Sequence, residues 1–444
     1  MNNTAVIHNE WNMFSVKEIL SSPLRDFGSF SLTNLIDFVE DGVPFIKSES
    51  VKQGFIDKRN ISYITKEVHL KLNKSVVREG DILYTKIGAL GRVAIYDGSL
   101  GECNSNAATV KINVDKSRIE PLFFCYLLMS EPTFRELEKN IISTPPRINL
   151  GDISALKLKF PTLSEQKKIA KVLSTVDNLI DQTQKLIDKY TAVKQGMMAD
   201  LFSRGIDLSG TPQSNKNYGQ LRPSYEDAPE LYQETELGWV PNDWDVHPVE
   251  NVSIGGFKNG YFKDPKLVGS GKKLINVTEL YQDFGIDITT DKVERIIVSP
   301  KDFEKYKVDI GDLFFTRSSL VLEGIAKSNI VRNLPEEAVF ECHVMRLKPN
   351  KEVVVPEFLA LFTGMPKARS YLMSMAKQVT MTTIAQPDMV GLPTPVPSLN
   401  EQQAIVEKID AIDELIRKEK ETVEKNKNIK KGLMQDLFTG KVTV

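Results

Sequence analysis

Two stretches of the chain place apolar residues in alternating steps of three and four. In the first, Ile169, Val172, Val176, Leu179, Thr183, Leu186, Tyr190, Val193 and Met197 form a heptad seam whose one weak member is Thr183. The second keeps Ile405, Ile409, Ile412, Ile416 and Val423, becomes highly charged, and resumes at Ile429, Leu433 and Leu437. Ser164 and Asn400 open the stretches as N-caps, and each is followed by a glutamate, Glu165 or Glu401, whose charge complements the helix dipole. The pattern predicts two helices of about 40 residues, roughly 60 Å each at about 1.5 Å per residue, and the natural partner of each is the other. A seam of this period also suits a core helix of a bundle; two seams at matching places favour an antiparallel coiled coil. Upstream of each, short apolar runs such as Asp81 to Thr85 and Leu156 to Phe160 alternate with Gly, Pro and Asn turns, which predicts strands with a few helices. Residues 205–238 are polar, Pro- and Gly-containing and without period, and are expected to be a linker.

The elements are written twice. Trp11 and Val16 recur as Trp244 and Val249, and Gly80-Asp81-Ile82-Leu83 as Gly311-Asp312-Leu313-Phe314. Pro121 and Phe123 return as Pro356 and Phe358, Pro161 with Glu165-Gln166 as Pro397 with Glu401-Gln402, and Asp200-Leu201-Phe202 as Asp436-Leu437-Phe438. Five collinear matches at shifts of 231 to 236 residues establish an internal repeat. The expected fold is α+β: two mixed α/β domains, residues 1–160 and 239–396, separated by long helices at 161–204 and 397–444 that pair as an antiparallel coiled coil with pseudo-twofold symmetry.

Composition narrows the function classes. With 444 residues, 41% hydrophobic and 26% charged, the chain has material for two or three domains and no apolar run of membrane-spanning length. Its first residues, MNNTAVIHNEWNMF, lack the basic start and apolar core of a secretion signal, so a cytoplasmic location is expected. Cys103, Cys125 and Cys342 have no close partner, which argues against a disulfide framework or zinc knuckle. His8, His69, His247 and His343 show no metal-ligand spacing. A net charge of −2 means that any nucleic-acid site must be locally basic. Catalytic motifs are not found: TPPR at Thr144 to Arg147 and GALG at Gly88 to Gly91 do not supply the groups of an adenine methyltransferase, and GSGKK at Gly269 to Lys273 lacks both the earlier glycine and the hydroxyl of a phosphate loop.

The repeated phrase PxLxEQxxI, at Pro161 to Ile169 and Pro397 to Ile405, and the closing KKGLMQDLFTGKV, at Lys430 to Val442, resemble the conserved helical regions of type I restriction-modification DNA specificity subunits. The likeness covers essentially the whole chain, and the first tail, GMMADLFSRG, departs slightly from the usual form. The resemblance implies a chain without catalysis of its own, in which residues 1–160 and 239–396 each read one half of a bipartite, asymmetric DNA sequence. It further implies that the helices set the spacing and dock methyltransferase subunits, expected to be two, and that restriction/translocase subunits join them. No cofactor is expected in this chain; S-adenosylmethionine, ATP and magnesium belong on the partners. A self-contained restriction or methylating enzyme, and an adaptor that binds only proteins, are the alternatives. Gel shift of random-sequence duplexes at low salt by the chain with its methyltransferase separates the adaptor from the DNA binder.

Candidate DNA contacts come from residue chemistry. In GGFKNGYFKDPKLVGSGKK, Lys258, Lys263, Lys266, Lys272 and Lys273 lie with Tyr261 and Phe262 among glycines, a mixture suited to a loop that grips phosphates. Lys86, and at the matching place Arg317, Ser318 and Ser319, follow the Gly-Asp strand into a turn, where Arg and hydroxyls can reach guanine edges or phosphates. Asn104, Asn106, and Thr380, Thr382 and Thr383 beside Lys377 are further candidates, because amides and hydroxyls read base edges. The same residue types also cap ordinary turns.

Overall fold

A computed structural model describes residues 11–27, 30–141, 144, 146–378, 381–439 and 442. The chain divides into two units, Met1–Leu186 with Glu419–Val444, and Ile187–Lys418. Each unit therefore contains one globular domain, the first part of one long helix and the last part of the other.

In the first unit the strand Ile82–Thr85 lies between Val93–Ile95 and Thr109–Ile112, antiparallel to both. All four of its residues are buried, as its unbroken apolar run requires. The corresponding strand of the second unit, Leu313–Thr316, sits between Ser328–Ile330 and Val344–Pro349 in the same order, with Ser253–Asn259 added at the edge. A two-stranded ladder closes each domain: Asn12–Ser15 on Lys157–Phe160, and Asp245–Pro248 on Pro393–Val396. In Lys157–Phe160 the lysines face out while Leu158 and Phe160 are buried. Pro121 and Pro356 open short helices at their first residue, where the missing N–H costs no hydrogen bond.

The long helices span Leu163–Arg204 and Leu399–Phe438. Their caps lie two residues ahead of the expected Ser164 and Asn400. Thr162 exchanges hydrogen bonds with Glu165 in a capping box, and the Ser398 hydroxyl accepts the Glu401 N–H. One turn inside each cap is a buried glutamine. Gln166 accepts the Glu120 N–H at 2.9 Å and donates to the carbonyls of Arg118 and Pro161. Gln402 likewise accepts the Val355 N–H at 2.7 Å and donates to Val353 and Pro397. One side chain thus ties the helix start to the strand that enters it and to the loop ahead of the domain's apolar helix.

Within each unit the two long helices pack antiparallel, and their contacts repeat with exchanged roles. Lys430 meets Asp177 at 2.6 Å in the first unit, and Lys194 meets Asp413 at 2.6 Å in the second. Phe438 packs edge-on to Phe123, and Phe202 lies 5.0 Å from Phe358. The seam departs from expectation in one column. Ile169, Val176, Thr183, Tyr190 and Met197 are buried or half-buried, but the adjoining column is Leu173, Ile180, Ile187, Lys194 and Leu201, one residue beyond the expected set. Leu179 and Val193 are exposed. In the second helix Ile405 to Val423 are buried as expected, while Lys430 takes the inward place and Ile429 is exposed. Apolar residues on adjacent columns make both choices compatible with the period; the half-buried Lys–Asp pairs between the helices fit one of them.

Residues 205–238 are not a bare tether. Ile206 and Leu237 are buried, and Tyr232–Thr235 pairs with Gly238–Pro241 in a hairpin. Arg222, 8% exposed, holds both oxygens of Glu401, which also accepts the Ile206 N–H at 2.7 Å and the Trp244 indole N–H at 3.2 Å. Gly205 has φ +65° there, and a Cβ would meet the Glu401 carboxylate at 2.2 Å. Glu401 is thus an ion-pair hub, whereas its repeat counterpart Glu165 serves its own cap.

Gln402→Ala strands one N–H and two carbonyls, and is expected to lower stability by about 2–3 kcal/mol, seen as a lower urea midpoint. Gln403→Ala, on the exposed next position, is expected to leave the midpoint unchanged.

Candidate functional site

Both domains build the same junction where the central strand ends. In the first, the Lys86 N–H donates to the Ala108 carbonyl at 2.8 Å and the Lys86 carbonyl accepts from Ile148 at 2.9 Å. In the second, the Arg317 N–H donates to the His343 carbonyl at 2.8 Å and its carbonyl accepts from Ile384 at 3.1 Å. A tight turn stands beside each, with Thr109 N–H bonded to the Asn106 carbonyl and Val344 N–H to that of Glu341. A returning segment completes it, Arg147 bridging Ile87 and Thr383 pairing with Ser318.

The side chains on this common frame differ. The first junction carries Lys86, Ile87, Asn106, Ala108 and Arg147; the second carries Arg317, Ser318, Glu341, His343 and Thr383. In the second, Ser318–Ser319, Thr382–Thr383 and Lys377–Gln378 form one three-stranded sheet, with Ser319 opposite Thr382 and Lys377 opposite Thr383. Two groups of candidates some 60 residues apart in sequence are thereby brought onto one surface. Arg317, Lys377 and Thr383 are exposed, Ser318 and Ser319 are half-buried, and Thr382 is buried. The Ser318 hydroxyl lies 3.0 Å from His343 Nδ1. Thr380 lies outside the described residues.

Other candidates are engaged inside their domains. Lys86 is 4% exposed and paired with Asp26 at 2.7 Å. Asn104 is fully buried: its amide donates to the Leu72 carbonyl and the Ser75 hydroxyl, and its carbonyl oxygen accepts from His69 Nδ1 at 2.6 Å. Asn106 is half-buried and accepts the Thr109 hydroxyl. The lysine-rich stretch expected to be one loop is two strands, Ser253–Asn259 and Val268–Ile275, joined by a short turn. Along it Lys258 and Lys266 are exposed, Lys263 pairs with Glu294 at 2.6 Å, Lys272 with Glu337, and Lys273 is buried with its ammonium on the Thr290 carbonyl. Tyr261 packs against Tyr306, while Phe262 is 79% exposed. Strand alternation sends neighbouring lysines to opposite faces.

Residue chemistry alone had passed over two features. Arg147, exposed at the first junction, was visible in the sequence only as the end of TPPR; aligning it with Thr383 through the shift of 236 residues would have singled it out. The turn at the second junction gathers a donor atom from each of Glu341, Cys342 and His343 within 4.8 Å of one another. The scattered histidines gave no sign of this, and burial raises the Cys342 thiol above its ordinary value.

A family profile described as "Type I restriction modification DNA specificity domain" matches residues 8–191 and 253–425. The chain is 26% identical over 434 residues to the type I restriction enzyme MjaVIII specificity subunit of Methanocaldococcus jannaschii, covering 95% of this chain and 94% of that protein. It is 18% identical over 417 residues to the type I restriction enzyme EcoKI specificity subunit of Escherichia coli K12, covering 91% and 83%. Its fold is similar to the crystal structure of a type I restriction-modification system S subunit from M. genitalium, with a TM-score of 0.51 at 15% identity over 99% of this chain and 97% of that one.

Lys86→Ala removes a buried ammonium from Asp26, whose side chain is 21% exposed. The expected cost is about 2–3 kcal/mol, less than for a fully buried pair, read as a lower melting temperature. DNA affinity measured well below the melt is expected to hold within about twofold, since the buried lysine cannot reach phosphates; an affinity loss with unchanged melting shows that it does.

Proposed function

Since the chain belongs to the family of type I restriction-modification DNA specificity domains, we infer that its two domains read the two halves of a split, asymmetric DNA sequence on behalf of catalytic partner subunits. The specificity domain is a DNA-recognition domain, and the chain is the non-catalytic specificity subunit. The observation that carries the finer reading is the junction made twice. One hydrogen-bond frame, with Lys86 and Arg317 at equivalent places, presents Ile87 and Arg147 in one domain and Arg317, Ser318 and Thr383 in the other, the Lys86 side chain being turned inward. A shared frame with unequal side chains suits readers of unequal half-sites, because the backbone fixes the approach to the duplex while side chains choose the base edges. Arg317 and Arg147 bring guanidinium groups suited to guanine, and the hydroxyls of Ser318, Ser319 and Thr383 serve as donors or acceptors.

The long helices supply the other surface. Leu179 and Val193 on the first helix and Leu415 and Ile429 on the second are between 44% and 48% exposed, apolar groups left over from the helix pairing and suited to docking methyltransferase subunits. Two methyltransferase subunits and the restriction/translocase subunits are the proposed partners, and S-adenosylmethionine, ATP and magnesium act on them. No helix among the described residues is long and apolar enough to cross a membrane, and a cytoplasmic location is proposed.

Two measurements test this. The purified chain, given S-adenosylmethionine, ATP and magnesium, is expected neither to methylate nor to cleave DNA; methyl transfer by the partner-free chain overturns the assignment. Exchanging residues 1–160 for the matching domain of a relative, in complex with the methyltransferase, is expected to change one half-site in a genome-wide map of methylated adenines and to leave the other as it was. A change in both halves refutes the modular reading.

A further inference from the structure

The two junctions differ in length at one place. Thr85 and Thr316 end the central strands at equivalent positions, and each hydroxyl closes the turn that follows. Thr85 Oγ1 accepts the Arg92 N–H, seven residues on, and donates to the Ala89 carbonyl. Thr316 Oγ1 accepts the Lys327 N–H, eleven residues on, and donates to the Gly324 carbonyl. The closure is the same, so the second domain carries an excursion longer by four residues at a fixed point of the shared frame.

This excursion is apolar at its most exposed part. Ser318 and Ser319 are held on the three-stranded sheet, and the chain then presents Leu320 at 85% and Val321 at 58% exposure before the turn Leu322–Gly324 brings it back. Met381, 40% exposed, precedes the paired strand Thr382–Thr383. The excursion is anchored: the Ser319 hydroxyl accepts the Val321 N–H, and Arg369 donates to the carbonyls of Glu323 and Ile325. A leucine so open on a held backbone gains nothing from the fold, since burial is what stabilises such a side chain. Its setting narrows the occupant. The three paired strands carry serine, threonine, lysine and glutamine and no carboxylate, and Arg317 stands exposed at their start. Glu323 is the one carboxylate between Arg317 and Lys327. Cationic and hydroxyl groups around an apolar point match the major groove, where the thymine C5-methyl is the apolar mark among polar base edges.

We propose that Leu320, supported by Val321, contacts a thymine methyl group in the half-site read by the second domain, and so selects thymine at that position. This rests on the function proposed above. The excursion has no counterpart of that length after Thr85, so the contact belongs to one half-site only.

The test uses the chain with its methyltransferase. Once the site is mapped and the half belonging to residues 239–396 assigned by domain exchange, each thymine of both halves is replaced in turn by deoxyuridine, which removes only the methyl. At one position of the second half-site the native complex is expected to bind roughly fourfold more weakly, the value of about one methyl group taken from water. Leu320→Ala, which removes no packing and is expected to melt as the native chain does, should bind both duplexes alike. A native complex indifferent to every thymine methyl of that half-site, a half-site without thymine, or a Leu320→Ala variant that still discriminates each overturns the proposal while leaving DNA recognition intact. A native complex with no specific site at all overturns the function reading, and this contact with it.

Discussion

The buried glutamine at the head of each long helix is the point on which the rest of the structure depends. An amide offers one acceptor and two donor hydrogens, and Gln166 and Gln402 each use them on three backbone groups from two different segments. In a low-dielectric interior such a set is costly to leave incomplete. A domain held this way cannot pivot on its helix without breaking all three bonds, so the junction at the end of its central strand keeps a definite orientation to the helix start. The Lys–Asp contacts between the helices, Lys430 with Asp177 and Lys194 with Asp413, add register to that orientation. They settle which columns of the two helices meet, a role for which polar seam residues are well attested.

On this frame the repeat has diverged where divergence does not disturb the fold. Backbone hydrogen bonds at the junction recur almost bond for bond, whereas Lys86 has turned inward to Asp26 and its counterpart Arg317 stays exposed. The same contrast appears at the helix heads. Glu165 completes a capping box, while Glu401 is enclosed by Arg222, Trp244 and the Ile206 amide. A carboxylate at the first turn satisfies the helix in either arrangement, which leaves it free in the second unit to anchor the connecting segment. Breaking that buried pair by removing Arg222 would leave a charge without compensation, the costly case for an internal ion pair.

The sequence by itself determined the duplicated architecture, the two long helices and the family, because these rest on local period and on phrases such as Glu-Gln and Asp-Leu-Phe whose shift repeats along the whole chain. Only the tertiary structure decided what those phrases do and which candidates share a surface. The first helix carries apolar residues on two adjacent columns, both compatible with a seam period of three and a half, so Leu173 and Ile187 against Val172 and Leu186 is settled by the facing helix and its aspartate and lysine. Lys86, Asn104 and Lys273 have the chemistry of a nucleic-acid contact and are buried, while Ser318 and Thr383 were joined only by strand pairing. The physical reason is common to all of them. Residue type sets what a side chain can bond, but burial and partnership come from segments far away in sequence, and no local pattern encodes which of those segments arrives.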